Sequence, residues 1–250
     1  MSRRMPGATG TAVTGPTRAD ENRAARVRRW VLLCAAAEAV GMSASAAAAR
    51  SATALQGAGR GAAAAWGVVV LGGLVEGTAV GLAQAAALKP LVPSLDHRRL
   101  LLVTVAVAGL GWAAASAPSV LAADDGDAEP GWAVVVGGAA ALGLVMGAVL
   151  GAAQAWVLRP AVRRPGRWVG ISVAAWTPAM VAIFAGATVA PASWPAGAVV
   201  LLGTVTGLVA GALLGAVSGV LAPALGPPRA CVRCPPGSEG PSGTGATRGP

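Results

Sequence analysis

The 250-residue chain is 55% hydrophobic and only 12% charged, with a formal net charge of +9 and a mean hydropathy of +0.65. A soluble domain carries about 25% charged residues, so this composition excludes an ordinary water-soluble fold and indicates a membrane protein. An excess of basic residues would also suit a nucleic-acid binder, but here the arginines punctuate apolar runs instead of forming a patch. They read as orientation signals, and no nucleic-acid partner is expected.

In chain order, residues 1–29 form a basic tail with too little apolar surface for a core, expected to be disordered. A transmembrane domain over 30–223 follows, with spans at 30–49, 62–88, 100–122, 132–158, 168–190 and 196–222, each of roughly the 20 residues a bilayer requires. The first span is rich in Ala and Ser and holds Glu38. It also fits a cleaved secretory signal, since Arg28-Arg29 precede an apolar stretch that ends in small residues. A glutamate interrupts that stretch, and its removal would strip the first repeat of a helix, so a retained span is expected. The tail 224–250 is rich in Gly, Pro and Ser and is again expected to be disordered.

Within the spans the chain repeats itself. Residues 73–90, GLVEGTAVGLAQAAALKP, align without a gap with 143–160, GLVMGAVLGAAQAWVLRP, and a weaker copy lies at 207–223. The period predicts an all-α integral membrane six-helix bundle built from three tandem helical hairpins. Glycines recur every fourth residue on the even spans, at Gly73, Gly77 and Gly81, at Gly143, Gly147 and Gly151, and at Gly207, Gly211, Gly215 and Gly219. Positions i and i+4 share a helix face, so two backbones can approach closely there. Packing is the expected role, with a pathway lined by these glycines as the alternative. Three such helices in parallel predict a central three-helix core wrapped by the odd spans.

Polar residues inside the spans are few. Gln84 and Gln154 occupy matching places near one end of their helices, with Ser218 as their counterpart, and are expected to bond neighbouring helices. Glu38 and Glu76 lie deeper. An ionised carboxylate at mid-membrane is costly, so such groups are paired, protonated or exposed to a water-filled cavity, and no basic residue lies at that depth. Both belong to the first hairpin; the other copies carry Trp112 and Trp176, and Met146 and Ala210, at the matching positions. They are the candidate proton or cation relay, or helix-bonding groups. Cys231 and Cys234 form a weak half-site for zinc or redox chemistry in the C-terminal tail. With one histidine (His97), no nucleophile elbow and no phosphate loop, neither an enzyme nor a cofactor is expected.

The pattern G-x-x-x-G-x-x-Q-[AW]-x-x-L-[KR]-P, carried best by Gly147, Gly151, Gln154, Trp156, Leu158, Arg159 and Trp168, resembles a group of uncharacterised bacterial multi-pass membrane proteins. The resemblance implies a six-helix membrane fold and no particular activity. The leading functional expectation is a non-enzymatic protein of structural or envelope-associated role, and the alternative is a small transporter or channel. Its partners are the lipid bilayer and, if any protein, a second copy or another membrane protein.

Orientation follows from charge. Of the 19 Lys and Arg residues, 17 fall in the two tails and in the second and fourth connections, leaving Arg50 and Arg60 opposite. The third connection holds only Asp124, Asp125, Asp127 and Glu129. A bacterial plasma-membrane location with both termini cytoplasmic is expected. Trp66, Trp132 and Trp194 should mark the outer interface and Trp30, Trp156 and Trp168 the inner one. In a chain freed of its native cysteines, a membrane-impermeant maleimide added to whole cells should label Asp125→Cys and spare Arg164→Cys. The reverse pattern would invert the topology.

Overall fold

The computed structural model describes residues 18–121, 131–191 and 193–228. These form six helices: α1 (Arg18–Gly57), α2 (Ala62–Leu88), α3 (His97–Leu121), α4 (Trp132–Leu158), α5 (Arg167–Ala187) and α6 (Ala196–Leu221), followed by a 3-10 turn at Ala222–Leu225. All six are long and apolar enough to cross a membrane, and no strand occurs among the described residues. The protein is an all-α, multi-pass membrane bundle. Residues 124–129 and Cys231 and Cys234 lie outside the described residues.

Helix ends follow local chemistry. Lys89-Pro90, Arg159-Pro160 and Pro223 stand where the three even helices stop, because proline cannot continue the hydrogen-bond ladder. The turn between α1 and α2 uses Gly59 and Gly61 at φ of 68° and 84°, a left-handed conformation that glycine adopts without steric cost. Asp96 caps α3 by accepting a hydrogen bond from the Arg99 N–H at 3.1 Å. The helix α1 begins at Arg18 rather than at 30, so the part of the basic tail over 18–29 is helical and not disordered. Alanine and arginine favour helix there, Asp20 and Glu21 complement the first turn, and no proline or glycine intervenes.

The helices form a closed ring in chain order, with α6 returning to α1. This corrects the expected three-helix core: among the described residues no two even helices approach each other closely. The glycine face of each even helix lies instead on the first helix of the next hairpin. A Cβ at Gly147 would stand 2.7 Å from the Val173 Cα, and one at Gly151 2.9 Å from the Val169 Cα, so α4 meets α5 backbone to backbone. Gly207 abuts the Glu38 carbonyl, Gly211 the Cys34 carbonyl and Gly215 the Val31 Cα, joining α6 to α1 in the same way. Between α2 and α3 the glycines receive side chains: Trp112 at Gly73, Ala108 at Gly77 and Leu101 at Gly81. Tight contacts also lie within hairpins, where Gly41 of α1 faces Glu76, Gly72 of α2 faces Ser45 and Ala48, and Gly186 of α5 faces Thr206 of α6. The pair α3 and α4 touch least.

These contacts separate glycines that are needed from those that are not. Gly211→Ala and Gly147→Leu should lower the thermal midpoint in detergent, since forcing atoms into a filled interface costs about 1–3 kcal/mol. Gly137→Ala places its methyl in open space and should be neutral or stabilising, by up to about 1 kcal/mol of helix propensity. Circular-dichroism melts of the three variants check this, and equal midpoints would remove the close-packing account.

Candidate functional site

Two layers of polar side chains occupy the interior. The first closes one end of the ring, the end bearing residue 30 and the 3-10 turn. Gln154 of α4 donates through Nε2 to Gln84 Oε1 at 2.6 Å and to Thr104 Oγ1 at 2.8 Å, and its Oε1 accepts the Trp168 indole N–H at 2.7 Å. Thr104 in turn donates to the Leu100 carbonyl at 2.8 Å. Four helices are thereby tied across the interior at one level, α2, α3, α4 and α5. Gln154 and Trp168 are buried completely or nearly so, and Leu88, Leu100 and Leu158 fill the space around them. Ser218, the counterpart in α6, is buried too, but its hydroxyl returns to the Leu214 carbonyl of its own helix.

The second layer holds the glutamates. Glu38 is entirely buried, and neither carboxyl oxygen has a hydrogen-bond partner among the described residues. Glu76 is buried against Gly41, with Oε2 accepting from the Ser45 hydroxyl at 3.1 Å, and it lines the same cavity as Trp112. The two lie within about one helical turn of each other, since Gly41, three residues beyond Glu38 on α1, faces Glu76. Neither faces lipid, and no described basic side chain forms an ion pair with either.

Beside Glu76 the ring encloses a cavity of about 380 Å³ to which all six helices contribute. Its wall is apolar, with Met42, Met146, Met180, Trp112, Trp176 and Phe184 among its larger members and Ser45, Thr104 and Thr206 as its hydroxyls. Among the described residues Glu76 is its sole charge-bearing group. Thr104 belongs to both layers, so the glutamine network forms the floor. The lining continues to Ala49, Ala187, Ala190 and Val199, which sets the mouth at the end carrying the connections after α1 and α5. Pro118 in α3 and Pro178 in α5 each delete one rung of the helix ladder in a helix that lines the cavity.

Sequence reasoning singled out both glutamates and both glutamines, and the structure brings them together in these pairs. It did not anticipate Ser45, Thr104, Met42 or Met180, and Met146 stood out only as the residue matching Glu76. Trp112 and Trp176 stood out only as the residues matching Glu38. That match holds in space, since Gly73, Gly143 and Gly207 face Trp112, Trp176 and Glu38 respectively. The aromatic belt is corrected in part. Trp132 and Trp156 are exposed at 60% and 59%, whereas Trp30 and Trp168 are 1% exposed, because a glycine (Gly219) and a glutamine (Gln154) provide room and a partner inside.

Cys34 is free and buried, and no three-residue cluster able to hold a metal ion occurs among the described residues. No protein-family model matches the chain, and neither the curated proteins nor the solved structures contain a match.

Gln154→Leu leaves the Trp168 N–H and the Gln84 carbonyl unpaired, each a loss of about 1–3 kcal/mol when buried. Ser218→Ala removes only a bond within one helix. Denaturation in mixed micelles should show a large loss for the first and little for the second. Comparable effects would mean that the network does not hold this end of the ring together.

Proposed function

We propose that the protein is a non-enzymatic plasma-membrane protein whose interior cavity binds a small lipophilic cation and passes it, or a proton exchanged for it, along the Glu76–Glu38 pair. The observation that carries this reading is the setting of Glu76, a single carboxyl in an otherwise apolar chamber of about 380 Å³. A pocket of that size suits a drug-sized ligand, and one well-placed polar group in an apolar wall sets its orientation. A carboxylate attracts a cation far more strongly at low dielectric than in water. The faces of Trp112 and Trp176 and the polarizable methionines suit the same charge and its hydrocarbon. Glu38 lies three residues before Gly41, hence about 4.5 Å further from the mouth along α1, and its unpartnered oxygens make it the next acceptor. With both termini cytoplasmic, the mouth faces outward and the glutamine floor separates the pair from the inside.

A purely structural role is the second reading, favoured by the backbone-to-backbone contacts of α6 on α1 and of α4 on α5. Binding separates the two. Radiolabelled tetraphenylphosphonium should bind the purified protein, while tetraphenylborate, of equal shape and opposite charge, should not. Glu76→Gln should weaken binding by about tenfold or more, as loss of one buried ion pair implies. Glu38→Gln should keep binding but lose cation-driven proton movement in proteoliposomes. Equal binding by wild type and Glu76→Gln would sink the cavity reading, and destabilisation by Glu76→Leu in a protein that binds nothing would leave the structural one.

A further inference from the structure

A second recess lies outside the cavity, on the outer surface of the opposite end. It is a groove of about 370 Å³ between the start of α1 and the end of α2, lined by Arg26, Arg29, Trp30, Ala87, Pro90 and Leu91. The first three stand at i, i+3 and i+4 and so share one helix face. Among the described residues, every polar side chain lining the groove is a hydrogen-bond donor, and no carboxylate lines it. Two of those donors lack acceptors: the Trp30 indole N–H and the Arg26 Nε–H are both buried without a partner among the described residues. Trp30 is 1% exposed and its side chain is held against Gly219, where a Cβ would stand 3.0 Å from the Trp30 Cβ and 3.2 Å from the ring's Cγ. The orphaned indole therefore sits in a fixed side chain and not in a mobile one. Arg29 donates to the Ala86 carbonyl at 3.3 Å, which draws its guanidinium to the rim and leaves further N–H groups free.

Buried donors without acceptors are rare in folded proteins, and each costs about 1–3 kcal/mol. A ligand rich in acceptors and negative in charge removes that cost, and guanidinium groups match phosphate oxygens in geometry as well as charge. The depth suits such a group. On α1 the polar residues end at Arg29 and the apolar run begins at Trp30, while α2 ends its apolar run at Leu88 beside Lys89. The groove thus straddles the level where hydrocarbon meets headgroups, with Ala87, Pro90 and Leu91 as an apolar flank for whatever chain a phosphate carries. Basic recesses between membrane helices at this level take anionic headgroups.

We propose that Arg26, Arg29 and Trp30 form a phosphate-binding site on the surface of the bundle, independent of the interior cavity. The phosphate comes from an anionic glycerophospholipid or from a soluble phosphate compound, and the two sources are separable by experiment. Full-length delipidated protein in a non-ionic detergent is titrated in turn with phosphatidylglycerol, with diacylglycerol and with inorganic phosphate, and bound molecules are counted by native mass spectrometry. Wild type should retain one more phosphatidylglycerol than Arg26→Gln, whose affinity for it should fall about tenfold with loss of a charge-assisted bond, and diacylglycerol should show no difference. Inorganic phosphate bound with the same dependence on Arg26, in the absence of phosphatidylglycerol retention, assigns the site to a soluble compound. Trp30→Phe deletes the N–H together with the five-membered ring of a packed side chain, so it should weaken binding and lower the thermal midpoint as well; Arg26→Gln alone therefore decides. Neither probe distinguishing wild type from Arg26→Gln overturns the proposal. So does an equal loss of phosphatidylglycerol from Arg163→Gln/Arg164→Gln on the other connection, since that would be attraction to charge in general.

Discussion

The structure depends on close approach of helix backbones where side chains are absent. Lipid tails are as apolar as leucine, so apolar side chains gain little by leaving lipid for a neighbouring helix, and adhesion must come from dense contact and from hydrogen bonds. Gly143, Gly147 and Gly151 let α4 lie directly on the α5 backbone, and Gly207, Gly211 and Gly215 do the same for α6 on α1. Because the glycines at every fourth residue of each even helix face the following hairpin, they are not left to build a centre. The chain therefore closes into a ring, and the last hairpin returns to the first.

A ring encloses space, and the two ends treat that space differently. At the end bearing residue 30, the Gln154 network and large residues such as Trp30, Trp168 and Leu158 fill it. Toward the other end, small residues on α1, α3 and α6 leave it open, and prolines interrupt the ladders of two lining helices. The seam between α3 and α4 is loose because only side chains meet there, with Met146 reaching Gly111. The cavity is what remains when strong pairwise contacts run around a circle and only one end is plugged.

Polar groups mark where this plan departs from simple packing. Gln154 finds acceptors in Gln84 and Thr104 and a donor in Trp168, as a buried amide must. Glu38 and Glu76 do not reach comparable satisfaction: one carboxyl has a single serine and shares its cavity with an indole, the other has no partner among the described residues. Their presence in the first hairpin alone, where the other hairpins carry tryptophan, methionine or alanine, makes that hairpin the chemically distinct third of the ring. Buried unsatisfied groups at such a place are the ordinary sign of a site with a task beyond stability.

By itself the sequence determined the number of spans, their all-helical class, the glycine faces and four of the polar residues of the interior, Glu38, Glu76, Gln84 and Gln154, because each is written locally in length, period or residue type. A bilayer leaves a span little choice but helix, and a glycine every fourth residue defines a face whatever that face meets. The tertiary structure alone decided which face meets which helix. Spacing shows that Gly147 and Gly211 can be approached, but not that α5 and α1 do so, because partner choice depends on the shape of two surfaces distant in sequence. For the same reason the expected central trio gave way to a ring, and Trp30 and Trp168 moved from the expected lipid interface into the interior. Ser45, Thr104 and the methionines became cavity wall only when six separate helices were brought around one space.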